Sequence, residues 1–251
     1  MEKIIVLLTR HPSLDIDAFR QRYVGGANAH GPLTARHMPR LRRYAVSIVD
    51  GPGAAGADLT PAAPGLRVDA VEELWFDRLE DFTDLDRLWD DDAGMRAVTE
   101  DGRQVWDCAW MYHVGENVVK DWWPRGAPGG PSKGVNAIFP VTRKAGIDHA
   151  QFVRHWHERH APLALLHHGM ARYVQNEVKS VLAVTSTTPG RTPAPAPQFD
   201  GIATLHFPTA EDLHERMMLT PRAAEEIAAD VARFVGGGES MLATEYVIRW
   251  N

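Results

Sequence analysis

The sequence has almost no cysteine, since Cys108 is the only one among 251 residues. One thiol cannot form a disulfide within the chain, so the fold is predicted to rest on its hydrophobic core. Structural disulfides are frequent in secreted proteins and rare in the reducing cytoplasm. The sequence therefore predicts a cytoplasmic protein.

Long apolar runs and runs of basic residues are missing too. After Met1-Glu2-Lys3 only a short apolar stretch follows, to Leu8, which is too brief for a signal-peptide core or a membrane span. The 27 basic and 33 acidic residues give a formal net charge of −6, and they form no large positive patch. We therefore expect a protein that binds neither nucleic acid nor a membrane.

What the sequence has instead is a long internal repeat. Its offset drifts from 133 residues between Phe19 and Phe152 to 129 between Glu116 and Glu245. A repeat of this length is too long for a solenoid unit and has the size of a small domain. The paired motifs are Thr9-Arg10, Phe19, Tyr23, His30-Gly31-Pro32-Leu33 and Arg43-Tyr44 in the first half, and Thr142-Arg143, Phe152, Trp156, His160-Ala161-Pro162-Leu163 and Arg172-Tyr173 in the second.

Each half is predicted to run strand, helix, strand, strand, helix, strand. Asp15 and Asp148 are placed to cap the first helix of each half. The order βαββαβ is that of the ferredoxin-like unit, an antiparallel sheet with both helices on one face. The fold class is therefore α+β, with a first domain at 1–120, a linker rich in Gly and Pro at 121–134 and a second domain at 135–251.

Two such sheets each leave one face bare. The simplest way to bury both faces is against each other, which predicts a dimeric α/β barrel made within one chain, with a cavity inside it. The linker is expected to run outside the barrel. The chain is then a monomeric pseudo-dimer or a homodimer of such chains.

These motifs together resemble the EthD family, in the dimeric α/β barrel superfamily. The resemblance covers nearly the whole chain, once per half. The halves differ where Thr204 and His206 replace Glu73 and Trp75, so the two pockets are not expected to be chemically equivalent. The segments that carry the resemblance are Thr142-Arg143, Phe152 with Trp156, Arg159-His160-Ala161-Pro162-Leu163, Arg172-Tyr173-Val174-Gln175-Asn176 and Glu73-Leu74-Trp75-Phe76.

The resemblance implies a small hydrophobic substrate or ligand. Similar proteins include decarboxylases, dehydratases and cyclases of aromatic polyketide pathways, and the superfamily also holds lactone isomerases, cofactor-free monooxygenases and haem proteins. We expect a cofactor-independent lyase, isomerase or cyclase that acts by acid–base chemistry on a polyketide-like or lactone-like molecule. The alternatives are a non-catalytic ligand-binding accessory protein of a catabolic or biosynthetic pathway, and a pseudo-dimer whose sites have both decayed.

His160 is the first candidate for catalysis. It is predicted to end a helix on the face that carries Phe152 and Trp156, and a histidine beside an apolar pocket can act as a general base. The alternative is that it caps the helix or bonds the following loop. His30 holds the matching place in the first half, but Gly25-Gly26-Ala27 precede it and are expected to end that helix early.

Strand residues supply the other candidates. Side chains alternate across a sheet, so His113 and His206 would each place an imidazole in the barrel if they face inward. The alternatives are a packing tyrosine, a solvated charge at a strand end and an outward-facing histidine. Tyr173 and His206 are expected beside His160 and His30 as catalytic residues that hold an enolate oxygen, and the expected substrate-binding residues are Phe152, Trp156, Arg143, Tyr44, His113, Glu73 and Trp75.

The cluster of histidines in the second half suggests a metal site as one hypothesis. Only His157 and His160 have a helical spacing that brings their side chains together, and no cysteine or well-placed carboxylate completes a ligand set. We therefore expect no metal ligands and no cofactor, with a haem or a metal ion as the less favoured alternative. The full cluster is His155, His157, His160, His167 and His168.

Overall fold

The computed structural model describes residues 1–52, 61–63 and 65–250. Its strands follow the predicted order in both halves. They are β1 Glu2–Arg10, β2 Arg43–Pro52, β3 Ala70–Phe76, β4 Trp106–Asp121, β5 Val135–Arg143, β6 Arg172–Ser186, β7 Gly201–Phe207, β8 Val235–Gly238 and β9 Met241–Trp250.

The helices begin at side chains that satisfy their first backbone N–H groups. Asp15 accepts from the N–H of Ala18, and Asp148 with Gln151 forms a capping box. The predicted caps are therefore confirmed. The helices are α1 Ile16–Val24, α2 His30–His37, α3 Glu80–Thr83, α4 Leu85–Leu88, α5 Asp92–Val105, α6 His149–His155, α7 Ala161–His167, α8 Ala210–Arg216 and α9 Pro221–Phe234, with a π-helical turn Trp156–His160 between α6 and α7.

The strands close into a ring. In the first half the order is β4-β1-β3-β2, in the second it is β9-β5-β7-β6, and the halves join through β2 with β9 and β4 with β6. All neighbours are antiparallel, and β8 pairs with the C-terminal end of β5, along the same edge as β9. Each half thus has the ferredoxin-like order, and the two are related by a pseudo-twofold axis. The predicted α+β barrel within one chain is confirmed.

The inside of the ring is packed with side chains. On β1 Ile5 joins the inner cluster while Ile4 packs against the helices outside, as the alternation along a strand requires. Trp110, Tyr112 and Ile202 bring side chains of both halves into that inner cluster. Large apolar side chains therefore occupy the middle of the barrel, where the sequence predicted a cavity.

One end of the barrel is charged. Lys3 Nζ lies 2.6 Å from carboxylate oxygens of Glu73 and Glu116 and 2.7 Å from Asn176 Oδ1. Burial alone would raise the pKa of Glu73, but the positive charges of Lys3 and Arg125 hold it at about 2. Glu73 is therefore ionised within the barrel, where its charge is balanced.

The linker closes this charged end. Arg125 pairs with Glu245 and lies over the ring of Trp250 at 4.5 Å, and Ser132 donates to Glu245 at 2.9 Å. The linker therefore contributes side chains to the barrel and does not simply run outside it. We propose that the domains are 1–120 and 135–251, with 121–134 as a linker that closes the charged end of the barrel. No helix among the residues that the structure describes is long and apolar enough to cross a membrane.

Candidate functional site

A cavity of about 400 Å³ lies between the sheet and the helices of the second half. Ala203 and Leu205 of β7 and Tyr173 of β6 form its floor, and α9 forms a wall of small and branched side chains such as Ala228 and Val231. No Lys or Arg occurs among the described residues that line it. The cavity therefore suits an uncharged and largely apolar molecule.

The π-helical turn shapes the edge of this cavity. The N–H of Ala161 bonds to the carbonyl of Trp156 five residues earlier, and Gln175 on β6 donates to the same carbonyl at 3.0 Å. Such turns insert one extra residue into a helix and are frequent at functional sites. Here the turn brings both Trp156 and His160 to the cavity.

Aromatic rings form the inner wall. Trp156 packs on the bare backbone of Gly201, where a Cβ would lie only 2.4 Å from the indole. Phe152 lies behind this wall, with its ring 5.4 Å from Trp156 and 5.5 Å from Phe234. Trp156 and Phe234 line the cavity, so Phe152 supports the expected apolar wall from the core and does not itself belong to it.

His160 forms a hydrogen-bonded pair with Asp230 of α9. His160 Nδ1 lies 3.0 Å from Asp230 Oδ2, and His155 Nε2 lies 2.9 Å from the other oxygen. Burial would raise the pKa of Asp230, but the hydrogen bonds from the two histidines outweigh it and the pKa is lowered. Asp230 is therefore a carboxylate at neutral pH.

A carboxylate can only accept a hydrogen bond, so His160 Nδ1 carries the proton. His160 Nε2 then holds a lone pair, and it has no hydrogen-bond partner among the described residues. Asp230 also stabilises the imidazolium that forms when Nε2 takes up a proton, as in hydrolase triads. The pair is arranged as a general base that faces an apolar cavity.

Tyr173 offers a donor to the same cavity. Gln175 Nε2 donates to the Tyr173 hydroxyl oxygen at 2.9 Å, which leaves the hydroxyl proton for another acceptor. Burial raises the pKa of Tyr173, so the hydroxyl stays protonated. The residue lines the cavity together with His160, as the sequence predicted.

A second buried histidine lines the cavity. His168 follows α7, is 7% exposed and bonds through Nδ1 to the carbonyl of Met217. Burial lowers its pKa to about 4, and a charge on His160 would lower it further. His168 therefore stays neutral at physiological pH.

The first half repeats the histidine–aspartate pair without this cavity. His30 Nδ1 lies 2.8 Å from Asp101, which stands at the repeat position of Asp230. The helix breaks there as predicted, since α1 ends at Val24 and α2 begins at His30. His30 is nearly fully buried and does not line either of the two cavities described here.

Buried polar side chains fill the matching place in the first half. Glu72 stands where the second half has Ala203, and it accepts hydrogen bonds from Tyr23, at 2.6 Å, and from Tyr44. Burial raises the pKa of Glu72, and its tyrosine donors only partly offset this. Tyr44 is therefore part of the core of the first half. The smaller cavity, about 290 Å³, lies elsewhere, at the α1–α2 junction beside the linker.

The other predicted site residues lie away from the cavity. His206, Glu73 and Trp75 point into the barrel, on the sheet face opposite Ala203 and Leu205, because side chains alternate along β3 and β7. His206 Nδ1 donates to Asn136 at 2.7 Å. The expectation that His206 shares a site with His160 is therefore wrong.

Two further residues lie on the outside of the barrel. Arg143 at the end of β5 pairs with Asp200 at 2.5 Å, and His113 on β4 pairs with Glu2 at 2.6 Å. Neither belongs to the residues that line the cavity. Their expected role in substrate binding has no support in this geometry, because each is held by a carboxylate at the barrel surface.

Three residues of the site were not predicted as catalytic or substrate-binding residues: Asp230, His168 and Gln175. Asp230 had a signal, since Asp101 and Asp230 are 129 residues apart, the same offset as Glu116 and Glu245. His168 was noted only for metal binding. No group of three or more His, Cys, Asp and Glu side chains in the described ranges is arranged to hold a metal ion.

Acid should destabilise the fold through two buried histidines. The pKa values of His168 and His206 are both lowered to about 4 by burial, against about 6.5 in an unfolded chain. Between these values the unfolded chain binds protons that the folded chain does not, so stability is complete above about pH 6.5 and falls towards pH 4. We expect a loss of up to about 3 kcal/mol per histidine, measured by urea unfolding at pH 7, 6 and 5.

The replacement His168→Met should flatten this slope, because methionine takes up no proton. Glu73 and Asp230 do not contribute to the slope in this range, since carboxyl groups with lowered pKa values change the stability only below about pH 4.5. A slope between pH 6.5 and pH 5 that is equal in both proteins would contradict the placement of His168 as a buried neutral group.

No curated protein sequence matches the chain. Among solved structures, a monooxygenase candidate from Lactobacillus acidophilus NCFM is 12% identical, with a TM-score of 0.53, over 99% of this chain and 96% of the other. An anthrone oxidase-like protein is 11% identical, with a TM-score of 0.53, over 98% and 92%.

A monooxygenase candidate from Fusobacterium nucleatum is 7% identical, with a TM-score of 0.51, over 99% of this chain and 92% of the other. At such identities these likenesses concern the fold alone. The family model of the EthD domain matches twice, at residues 11–107 and 144–238. The chain therefore belongs to the EthD domain family and carries two EthD domains in tandem.

Proposed function

We propose that the chain is a cofactor-independent enzyme that removes a proton from a carbon beside a carbonyl group. The observation that carries this proposal is the His160–Asp230 pair, which leaves Nε2 of His160 unpaired in a residue that lines an apolar cavity. Its substrate is a small hydrophobic oxygenated molecule of the aromatic polyketide or lactone kind. Two of the expected catalytic residues, His160 and Tyr173, support the proposal by lining one cavity.

The proposed step moves one proton and one electron pair. The C–H bond breaks, the proton goes to His160 Nε2, and the electron pair enters the carbonyl to give an enolate oxygen. Tyr173 then donates its hydroxyl proton in a hydrogen bond to that oxygen. Asp230 stays ionised and stabilises the imidazolium.

The enolate has three chemical outcomes. Return of the proton to another carbon is an isomerisation, and expulsion of a leaving group is a lyase reaction. With dioxygen, a methylene group between two aromatic rings becomes a ketone, and the second oxygen atom leaves as water. The names of the structural neighbours, monooxygenase candidate and anthrone oxidase-like protein, make this third outcome the second candidate function.

The alternative is a binding protein that uses the same cavity without chemistry. The apolar floor and walls would hold a ligand equally well in that case. The binding function differs from catalysis in predicting ligand uptake without proton exchange.

The test uses anthrone, a tricyclic ketone with an acidic methylene group, in deuterated buffer. Under nitrogen we expect the protein to accelerate deuterium uptake at the methylene carbon, measured by NMR. In air, oxygen uptake with formation of anthraquinone would select oxidation, and exchange without oxygen uptake would select isomerase or lyase chemistry. Anthrone binding without faster exchange would replace catalysis by the binding function, and absence of binding would contradict both.

A further inference from the structure

His168 lies at the junction of two elements that enclose the cavity. It follows the last residue of α7, and its N–H bonds to the carbonyl of Ala164 at 2.9 Å. Its imidazole reaches across to Met217, in the segment before α9. The backbone on one side and a carbonyl on the other therefore fix the ring, and the residue borders the cavity.

The contact with Met217 also fixes the position of the ring proton. A carbonyl oxygen can only accept a hydrogen bond, so Nδ1 of His168 is the donor. Nε2 is then an unprotonated acceptor, and no described residue donates to it. This nitrogen is not among the fully buried atoms without a partner in the described residues, so it is accessible, and a ligand that fills the cavity must supply a donor to it or leave it unpaired.

We propose that His168 is a specificity-determining residue, whose Nε2 accepts a hydrogen bond from a hydroxyl group of the ligand in this cavity. The proposal rests on the proposed function, since it concerns the same cavity and a ligand whose acidic C–H bond faces His160. It adds the requirement that the ligand carry a hydrogen-bond donor, such as a phenol or enol hydroxyl group.

The two histidines of the cavity have different capacities. Nδ1 of His160 faces the carboxylate of Asp230, which stabilises an imidazolium. Nδ1 of His168 faces a neutral carbonyl, and its pKa of about 4 means that it does not take up a proton near neutral pH. His160 can therefore take a proton from a ligand, whereas Nε2 of His168 can only accept a hydrogen bond from one.

The first half provides a natural comparison. Met38 stands at the repeat position of His168, 130 residues earlier, and like His168 it follows a helix. Met38 is buried and has no acceptor of comparable strength. The substitution His168→Met therefore places in the second half a residue that this fold already holds at the equivalent position.

The test compares two aromatic probes, 2-naphthol and 2-methoxynaphthalene, which differ in that only the first donates a hydrogen bond. Dissociation constants are measured by fluorescence titration for the wild type and for His168→Met. We expect the preference for 2-naphthol to fall about tenfold in His168→Met, the contribution of one hydrogen bond. His168→Gln, which keeps an acceptor oxygen, should retain most of the preference and replaces His168→Met if that protein does not fold.

An unchanged preference in His168→Met would overturn the assignment, as would a wild type that binds neither probe. Bound 2-naphthol should show the absorption spectrum of the neutral phenol, and a naphtholate absorption spectrum would also overturn the assignment, since an acceptor nitrogen does not stabilise an anion. Because only binding is measured, the result is independent of turnover. If His168→Met loses the preference and the wild type catalyses no anthrone exchange, the proposed role of His168 stands and the proposed catalytic function does not.

Discussion

Replacing His160 with alanine is expected to slow proton exchange on anthrone by about 10²- to 10⁴-fold, the usual contribution of one positioned general base. His160 lines the cavity, its Nε2 carries the lone pair, and the ring is held in place by Asp230 at 3.0 Å. The substitution removes the base but not the cavity, so binding of anthrone should weaken far less than exchange. Exchange is measured by NMR under nitrogen, and binding by titration.

His30→Ala is the matched control, because the first half carries the same pair with Asp101 at 2.8 Å. His30 lies at the repeat position of His160 and outside the cavity of the second half. Its replacement should leave exchange unchanged. Circular dichroism of both variants shows whether the fold is intact. If His160→Ala exchanges anthrone at the wild-type rate, or if His30→Ala is the slower protein, the assignment of the base is wrong.

The repeat made the architecture predictable from the sequence. Two βαββαβ patterns at one offset imply two equal sheets, and the need to bury their bare faces implies a barrel. The helix break at Gly25-Gly26-Ala27 was also predictable, because the second half lacks these residues. Local patterns were sufficient here because the residues that decide each feature are close together in the chain.

The position of the cavity was not predictable in the same way. It depends on which face of β7 carries small side chains, and Ala203 opens a space that Glu72 fills in the first half. A shift of one residue in the register of β7 would exchange the faces of Leu205 and His206, and so decide which of them reaches the cavity. Asp230 is 70 residues from His160 in the chain, and packing of α9 brings the two together. Contacts of this range follow from the tertiary fold and not from local pattern.

The two halves also differ inside the barrel, and there the repeat gives a second natural comparison. Lys3 donates a hydrogen bond to Asn176 at 2.7 Å. The residue at the repeat position of Lys3 is Asn136, which donates to Ser47 at 3.3 Å. Glu73 has Thr204 as its counterpart. One half of the barrel thus carries a buried ion pair where the other half carries neutral hydrogen-bonding side chains.

Replacing Lys3 with methionine is therefore expected to destabilise the protein by about 3–5 kcal/mol, the usual cost of removing one partner of a buried ion pair. Lys3 is 1% exposed, and its loss leaves Glu73 with Arg125 at 3.6 Å and Glu116 with the indole of Trp75 at 3.2 Å. Such a loss is a large part of the stability of a typical domain. Urea unfolding at pH 7 measures it.

The double variant Lys3→Asn with Glu73→Thr separates the charge from the packing, because it gives the first half the two residues that the second half already has. Removing both charges leaves no carboxylate at position 73, so only the partly exposed Glu116 loses its ion pair with Lys3, and we expect the double variant to be more stable than Lys3→Met. If the two proteins unfold at the same urea concentration, the cost lies in lost packing around Lys3. If Lys3→Met is as stable as the wild type, the carboxylates at this end of the barrel are neutralised without Lys3, and Arg125 of the linker is then the cation that balances them.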